Sequence, residues 1–422
     1  MMNTNKKTPK LRFKGFVDDW GQRKLGSIGS TYTGLSDKTK EDFGHGEAQY
    51  ITYLNIFLNT VSDITMTDKV EIDTTQNEVK YGDVLFTTSS ETPEEVGMSS
   101  VWMGDSPNTY LNSFCFGFRP NQKINPYFLG YSLRAPYMRD KIKILAQGIS
   151  RYNISKNKVM ELEISLPNNE EQKLLGTFLQ RIDLIITLHQ RKLEHLNLKK
   201  KALLQKLFPK NGDRYPELRF PGFTEDWEQR KFLDLLDTQN GIRRGPFGSS
   251  LKKDSFVKKS DYVVYEQQNA IYDNYETRYF ISKEKYNELI RFNIQPGDFI
   301  MSGAGTIGRI SMVPDGIKKG VFNQALIRFK VNKDSVNPIY FLKFMQSDMM
   351  QKQLTQANPG SAMTNLVPMD ELKKWDVIIP SLEEQNKISI FINQIDSFIT
   401  LHQRKLDCLI SIKKALLQQL FV

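Results

Sequence analysis

One glycine-rich stretch of the sequence has the spacing of a cofactor-binding loop. Gly303-Ala-Gly305-Thr-Ile-Gly308 matches the dinucleotide fingerprint G-x-G-x-x-G. That fingerprint requires a strand before it and a helix after it, because the pyrophosphate binds at the helix N-terminus. The residues that follow, from Arg309 to Pro314, read instead as a strand that ends at the proline. We therefore predict a β-turn in this stretch and not a cofactor site.

The other patterns that could support catalysis are incomplete. Asn125-Pro-Tyr-Phe and Asn337-Pro-Ile-Tyr resemble the Asn-Pro-Pro-Tyr/Phe loop of amino-methyltransferases, but both lack the second proline, and no Phe-x-Gly-x-Gly loop precedes them. We interpret both as helix starts. The sequence contains no Walker-type phosphate loop, no convincing Ser/His/Asp or nuclease carboxylate–lysine set, and only four histidines for acid–base chemistry. We expect a chain that catalyses nothing alone and binds no metal or cofactor of its own.

Residues suited to DNA contacts cluster in several loops. The stretch from Gly241 to Lys253 combines four cations with glycine and serine. Glycine lets backbone N–H groups approach phosphates, serine donates to them, and arginine can bind a guanine edge bidentately. The amides of Asn and Gln suit adenine edges. The alternative for each is a solvated polar loop. The predicted DNA-contacting residues are Ser36, Lys38, Lys40, Thr88, Ser89, Ser90, Gln147, Ser150, Arg151, Tyr152 and Asn153 in the first half, and Arg243, Arg244, Ser249, Ser250, Lys252, Gln267, Asn269, Ser302, Thr306, Asn323, Gln324 and Asn365 in the second.

Composition is compatible with this interpretation. The net charge of +10 and the pI near 9.2 indicate an anionic partner such as nucleic acid, although a basic protein without such a partner is equally compatible with them. The two cysteines form no disulfide framework and suit a reducing compartment. No signal-peptide pattern and no apolar run of membrane-spanning length occurs. We expect a cytoplasmic protein, and 422 residues predict two or more domains.

The scaffold that must position these loops is written twice in the sequence. Residues 170–208 align without a gap with residues 383–421, and 23 of the 39 positions are identical. The stretches Pro9–Lys24 and Pro216–Lys231, which we call the opening segments, form a second pair that ends in Asp-Trp-x-Gln-Arg-Lys. Between these repeated parts the two halves diverge strongly. An internal repeat of this kind defines the architecture.

The repeated stretch predicts a long helix in each half. Apolar residues recur every three or four positions, no proline interrupts them, and Pro167 and Pro380 precede the acidic starts. At ~1.5 Å per residue each helix would be roughly 60 Å long. Two matching apolar stripes predict that the helices pair as a coiled coil, and the alternative is that each lies on its own globular domain. The residues predicted to pair the helices are Phe178, Ile182, His189, Leu196, Leu203, Phe391, Ile395, His402, Leu409 and Leu416, with both histidines as packing positions and not as metal ligands.

The parts between these repeats predict an α+β fold. Short runs such as Tyr262–Tyr265 and Gly320–Phe322 predict a twisted, mostly antiparallel sheet with a few helices. The predicted limits are 1–166 for the first globular domain, 167–214 for the first helix and its linker, 215–379 for the second domain and 380–422 for the second helix. The result is two mixed α/β domains joined by two long helices, with an internal pseudo-twofold repeat.

The paired motifs make this sequence similar to the specificity subunit of type I restriction-modification systems. The resemblance rests on the Asp-Trp-x-Gln-Arg-Lys segments, the Pro-x-x-Glu-Glu-Gln helix starts and the Lys-Lys-Ala-Leu-Leu-Gln helix ends, and it covers essentially the whole chain. It implies two target recognition domains that each read half of a split DNA sequence, and an antiparallel coiled coil that fixes the spacer. The implied partners are double-stranded DNA, two adenine methyltransferase subunits that bind S-adenosylmethionine and, in the full complex, two restriction subunits that use ATP and Mg.

Two functions of other classes stay open from the residues alone. The first is a self-contained DNA methyltransferase or nuclease, which the missing cofactor and metal motifs argue against. The second is a coiled-coil scaffold that binds only proteins. Loss of DNA affinity after charge reversal at Arg243, Arg244 and Lys252 would argue against that scaffold.

Overall fold

A computed structural model describes residues 8–210, 213–356 and 369–422. The chain forms two compact units. Unit 1 consists of residues 1–191 and 402–422, and unit 2 consists of residues 192–401. The predicted domain limits at residues 166, 214 and 379 stay a prediction.

Unit 1 combines small sheets with short helices. Its sheets have the orders β2-β9-β5-β7, β4-β3-β8, β1-β11 and β6-β10, in which only β3 and β8 pair in parallel. Its strands are β1 (Gly21–Lys24), β2 (Gly29–Thr33), β3 (Phe43–Ile51), β4 (Thr67–Val70), β5 (Val84–Thr87), β6 (Ser89–Ser90), β7 (Ser99–Val101), β8 (Thr109–Leu111), β9 (Cys115–Pro120), β10 (Tyr152–Asn153) and β11 (Glu163–Leu166). Its helices are α1 (Tyr53–Leu58), α2 (Pro126–Arg134), α3 (Pro136–Ile144), α4 (Lys156–Met160) and the first part of the long helix α5 (Asn169–Leu207).

Unit 2 has a related arrangement. Its sheets have the orders β13-β20-β17-β18, β14-β16-β15-β19 and β12-β21, in which only β15 and β19 pair in parallel. Its strands are β12 (Glu228–Lys231), β13 (Ile242–Arg244), β14 (Phe256–Val257), β15 (Tyr262–Tyr265), β16 (Tyr279–Ile281), β17 (Phe299–Ser302), β18 (Ile310–Met312), β19 (Lys319–Phe322), β20 (Leu326–Phe329) and β21 (Asp376–Ile379). Its helices are α6 (Gln267–Tyr272), α7 (Lys283–Glu288), α8 (Pro338–Gln346), α9 (Asp348–Gln356), α10 (Met369–Leu372), the last part of α5 and the first part of the second long helix, α11 (Leu382–Gln419).

The predicted α+β class and the mostly antiparallel pairing are confirmed. The glycine-rich stretch 303–308 is a turn that leads into β18, as predicted, and Gly305 and Gly308 adopt φ values of 65° and 76°. Asn125 and Asn337 start α2 and α8, because each side chain accepts a backbone N–H bond in the first turn. One detail differs, since the runs 262–265 and 320–322 pair with each other in parallel.

A buried ion pair ties each opening segment to the start of a long helix. In unit 1 the Arg12 guanidinium donates to both oxygens of Glu171 at 2.7 and 2.8 Å, and the Glu171 carboxylate is buried. In unit 2 Arg219 binds the buried Glu384 in the same bidentate way, at 2.8 Å for both bonds. In each pair the hydrogen bond to the glutamate carboxylate raises the pKa of the arginine. Two effects therefore explain the repeated Glu-Glu-Gln sequence. Its second glutamate forms a buried ion pair, and negative charge is favourable at the N-terminus of a helix.

The glutamine of that sequence links the helix start to the globular part. Gln172 accepts the N–H of Asn125 at 3.0 Å and donates to Pro167 O at 2.8 Å. Gln385 makes the equivalent bonds to Asn337 and Pro380, both at 3.0 Å. Each long helix therefore begins at a fixed distance from the short helix α2 or α8.

The other end of a long helix closes the aromatic core of each unit. In unit 1 Phe421, just after α11, packs against Trp20 and Phe128, with ring centroids 6.4 and 5.7 Å away. In unit 2 Phe208, just after α5, packs 5.7 Å from Tyr340, which in turn lies 6.3 Å from Trp227. Each unit therefore buries the start of one long helix and the end of the other.

Contacts within each unit show that the two long helices run antiparallel. In unit 1 Asp183 binds Lys413 at 2.5 Å, and Nδ1 of His189 lies 3.1 Å from Nδ1 of His402, so that one ring nitrogen donates and the other accepts. In unit 2 the equivalent ion pair joins Asp396 to Lys200. The predicted antiparallel helix pair is confirmed.

Two predicted pairing residues pack against the opening segments. Phe178 packs edge-on against Phe13 at 5.7 Å, and Phe391 packs edge-on against Phe220 at the same distance. Both rings therefore contact an opening segment, and their part in pairing the helices stays a prediction. Of the others, Ile182 is buried. Partly buried are His189, Leu196, Leu203, Ile395, His402, Leu409 and Leu416.

None of the helices in the described ranges is both long and apolar enough to cross a membrane.

The ion pair at the start of α5 yields a stability prediction. Arg12→Ala leaves the Glu171 carboxylate buried without its cation, so we expect the free energy of unfolding to fall by about 3 kcal/mol. Arg12→Ala combined with Glu171→Leu leaves no buried charge and should recover part of that loss. Urea-induced unfolding followed by tryptophan fluorescence measures both, with the exposed Arg23→Ala as the control. Equal losses in the single and double variants would contradict this role of the pair.

Candidate nucleic-acid interface

Most of the predicted residues of unit 1 lie in one group of loops. Strand β6 pairs with β10, which places Ser90 opposite Tyr152 and Ser89 opposite Asn153. Gln147 and Asn153 exchange both backbone N–H···O bonds, at 2.9 and 2.8 Å, and so close a hairpin between them. On this hairpin the side chains of Gln147, Ser150, Arg151 and Asn153 are exposed, and that of Tyr152 is half-buried.

Three hydroxyl residues in this group support the loops. Ser89 and Ser90 are only 5% and 6% exposed, and Ser90 donates to Thr92 O at 2.6 Å. The Thr88 hydroxyl donates to Phe114 O at 2.7 Å. Placing Ser89 and Ser90 on a DNA-contacting surface was wrong for this structure, because the loops cover both side chains.

The segment that contains the predicted residues 36–40 lies beside this group of loops, because both contact the same turn. A Cβ on Gly34 would lie 2.1 Å from Asn112 O, so the backbone before Ser36 runs directly against the turn 112–114, which Thr88 also contacts. Lys38 binds Asp73 at 2.7 Å, and this bond, with help from Thr75, holds the pKa of the Asp73 carboxyl well below its usual range. Ser36 and Lys40 are exposed.

In unit 2 three loops converge in a similar way. A Cβ on Gly245 would lie 1.9 Å from Asn323 O, so the loop after β13 runs against the turn 323–325. Gly303 donates to Ala325 O at 2.7 Å, which joins the glycine-rich turn to the same place. Gln267, at the start of α6, lies over that turn, since a Cβ on Gly305 would be 3.4 Å from its Nε2. The exposed side chains around these loops are those of Arg244, Ser249, Lys252, Thr306 and Gln324. The half-buried ones are those of Arg243, Ser250, Gln267 and Asn323.

Two predicted contacts of unit 2 are internal. Asn269 is 1% exposed and donates to Asn274 O and Glu276 O at 2.7 and 3.0 Å. Ser302 is fully buried, and its hydroxyl donates to Thr306 O at 2.5 Å. Both assignments are corrected, because the hydrogen-bonding groups of these side chains hold the loops. Asn365 lies outside the described residues.

The two groups of loops share a frame that the sequence revealed only in part. Asn112 accepts the N–H of Phe114 at 2.9 Å, and Asn323 accepts that of Ala325 at 3.1 Å, so both units place an asparagine turn against a glycine. Asn55 is buried and donates to Asp63 O and Met66 O, as Asn269 does to its own loop. Gly34, Asn55 and Asn112 were missed. Each has a counterpart 211 to 214 residues later, namely Gly245, Asn269 and Asn323. Alignment of the two halves at these offsets could have identified the three missed residues.

Burial and a neighbouring like charge distinguish Arg243 from Arg244. Arg243 lies opposite Arg328 in the β13–β20 register, and burial lowers the pKa of Arg328, which is 2% exposed. Arg243 is half-buried beside that like charge, whereas the Arg244 side chain is exposed. Among the described residues, no group of three or more His, Cys, Asp or Glu side chains is placed to hold a metal ion.

Comparisons with known proteins find related sequences over almost the whole chain. The family model described as the type I restriction modification DNA specificity domain matches residues 17–198 and again residues 224–409. A provisionally named relative, the specificity subunit of the type I restriction enzyme MjaX of Methanocaldococcus jannaschii, is 25% identical over 96% of this chain and 93% of its own length.

Two solved structures have a similar fold. The S subunit of a type I restriction-modification system from M. genitalium covers 98% of this chain and 99% of its own, with a TM-score of 0.55 and 14% identity. A chain from a structural study of complex assembly and conformational transition of the type I R-M system covers 95% and 97%, with a TM-score of 0.60 and 17% identity.

Proposed function

This chain belongs to the type I restriction modification DNA specificity family, and we propose that each of its compact units reads one half of a split DNA target. As a specificity subunit it supplies DNA recognition within a type I restriction-modification complex and is a non-catalytic component of that complex. The observation that carries the proposal is the repeated loop frame. Both units hold loops against an asparagine turn, yet the exposed residues on those loops differ between the units.

Within each unit we assign two kinds of contact. The exposed cations Lys40 and Arg151 in unit 1, and Arg244 and Lys252 in unit 2, suit phosphates, which position the domain without selecting a base. Exposed amides suit base edges in the major groove, where each base pair has its own pattern of donors and acceptors. These amides are Gln147 and Asn153 in unit 1 and Gln324 in unit 2, joined by the half-buried Gln267 and Asn323.

The chemistry belongs to partners in this proposal. Two methyltransferase subunits bind S-adenosylmethionine and transfer its methyl group to an adenine that they extrude from the duplex. Up to two restriction subunits use ATP and Mg. Because the substrate is cellular or incoming DNA, we place the complex in the cytoplasm.

The long helices set the spacer between the half-sites, so insertion of one heptad after Lys199 and after Ile412 should lengthen the spacer in the methylated target.

Exposed apolar side chains on the long helices support a docking surface for those partners. Ile185 and Leu188 on α5 are 43% and 54% exposed, and Phe398 and Leu401, at the equivalent positions of α11, are 58% and 48% exposed. A repeated apolar pair on a helix suits a helix of a partner protein, because burial of such side chains stabilises association. That the pair occurs once on each long helix supports two copies of the methyltransferase subunit.

Exchange of residues 215–379 for those of a relative with a different target tests independent reading. We expect one half of the methylated sequence to change and the other half to stay the same, because the loops of unit 1 are unaltered. Mapping of N6-methyladenine in a host that carries the chimera measures this. A change in both halves would contradict independent reading.

Arg244→Ala tests the phosphate contact. Loss of one neutralised phosphate should reduce the slope of log affinity against log salt by about 0.9, and should weaken binding to target and non-target DNA alike. Titration of the assembled complex with fluorescent DNA at several salt concentrations measures the slope. Lys283→Ala, which removes one exposed cation on α7, is the matched control. An unchanged slope for Arg244→Ala would remove this residue from the interface.

Leu188→Glu tests the docking surface. A carboxylate in an apolar contact must be desolvated, so this variant should lose one methyltransferase subunit, and Leu188→Glu with Leu401→Glu should lose both. Native mass spectrometry of the co-purified complex measures the stoichiometry. Ile144→Glu places the same charge on a residue of α3 that is 81% exposed and serves as the control. A full complement of subunits in the double variant would show that docking occurs elsewhere.

A further inference from the structure

The two most exposed large apolar side chains in the described part of the chain lie one in each unit. Ile149 of unit 1 is 95% exposed, and Phe247 of unit 2 is 88% exposed. Single exposed apolar residues are common on protein surfaces and need no explanation by themselves. These two, however, both lie in the loops that carry the proposed DNA contacts.

The loop that carries Phe247 is anchored on both sides of this residue. Gly245 lies directly against the turn that contains Asn323, and Pro246 is buried. Ser250 donates its N–H to Phe247 O at 2.8 Å, which folds the following residues into a short 3₁₀ turn. The backbone is therefore held on the protein while the Phe247 ring stays in solvent.

Ile149 lies at the tip of the hairpin closed by Gln147 and Asn153. Gly148 adopts a φ of 134°, and a Cβ there would lie 2.0 Å from Arg151 O, so the tip is closed tightly and needs a glycine. This backbone directs Ile149 away from the unit, and its side chain makes almost no contribution to the core.

Both residues have neighbours that suit a DNA backbone. Ser150 and Arg151 follow Ile149 and are exposed. Near Phe247, Arg244 and Ser249 are exposed. Other strongly exposed apolar residues, such as Val17 (84%) and Ile144 (81%), lie outside these loops.

We propose that Ile149 and Phe247 are wedges that insert between neighbouring base pairs, one at each half-site. This inference rests on the proposed function. An apolar side chain gains by leaving water, and proteins that insert Phe, Leu or Ile between base pairs partly unstack that step and kink the duplex. The cations and hydroxyls beside each wedge bind the flanking phosphates and hold it in position.

Such a wedge would add specificity that hydrogen bonds do not supply. Pyrimidine–purine steps unstack more easily than other steps, so each wedge favours targets that carry one at the point of insertion. Unstacking near the target adenine also lowers the energy that the methyltransferase must supply to extrude that base. Because the two wedges occupy different loops, each acts on its own half-site.

The test uses the complete complex with its methyltransferase subunits and a duplex that carries its methylation target. 2-Aminopurine replaces one base at a time within and next to each half-site, but never the target adenine, whose own extrusion would brighten the probe. We expect one step in each half-site to brighten on binding. Phe247→Ser should abolish the brightening in the half read by unit 2 alone and weaken binding roughly tenfold. Ile149→Ser should do the same in the other half.

Two further variants make the result specific. Phe247→Leu keeps an apolar wedge and should keep the brightening, whereas Ile144→Ser removes an exposed apolar residue outside the loops and should change nothing. If no step brightens in the wild-type complex, or if Phe247→Ser leaves the brightening intact, the wedge is disproved while DNA reading stands. If the wild-type complex binds its target no better than a scrambled duplex, the proposed function itself fails.

Discussion

A carboxylate buried at the start of each long helix is the interaction on which both units depend. Glu171 and Glu384 are almost completely removed from water, which is costly unless a cation and further hydrogen bonds compensate. Arg12 and Arg219 provide that cation from opening segments that lie more than 150 residues earlier in the chain. The helix start, the opening segment and the globular part between them must therefore assemble together. This requirement explains why the same short motifs occur in both halves of a sequence that otherwise diverges.

The proposed reading surface lies mostly on loops that the scaffold supports, and this arrangement lets the two halves diverge. The buried pair, the aromatic cluster around Trp20 or Trp227, and the asparagine turns at Asn112 and Asn323 recur in both units. The loops that these features support carry different exposed residues in the two units. A protein that reads two unlike half-sites needs this combination of a common frame and independent loops.

Much of the architecture was predictable from the sequence, because repetition and periodicity are local signals. The long helices were predicted from 170 and 383 and begin at Asn169 and Leu382. The site was less predictable, because a short polar side chain suits a base edge and a backbone carbonyl equally well. Only the folded structure shows that both kinds of residue are covered: Ser89 lies on a strand paired with the distant β10, and Asn269 bonds to the loop after α6. The contacts of Phe178 and Phe391 with the opening segments were not predicted for a related reason, since a helical stripe shows which face is buried but not everything that covers it.

The most direct measurement is a map of N6-methyladenine across the genome of the host, with and without this gene. If the chain directs a methyltransferase to a split target, one motif made of two unlike halves and an unspecified spacer should lose its methylation when the gene is removed. Restoration of the gene should restore methylation of that motif. If the methyltransferase subunit is present and no motif changes, or if the lost motif is a single uninterrupted sequence, the assignment of one half-site to each unit is contradicted.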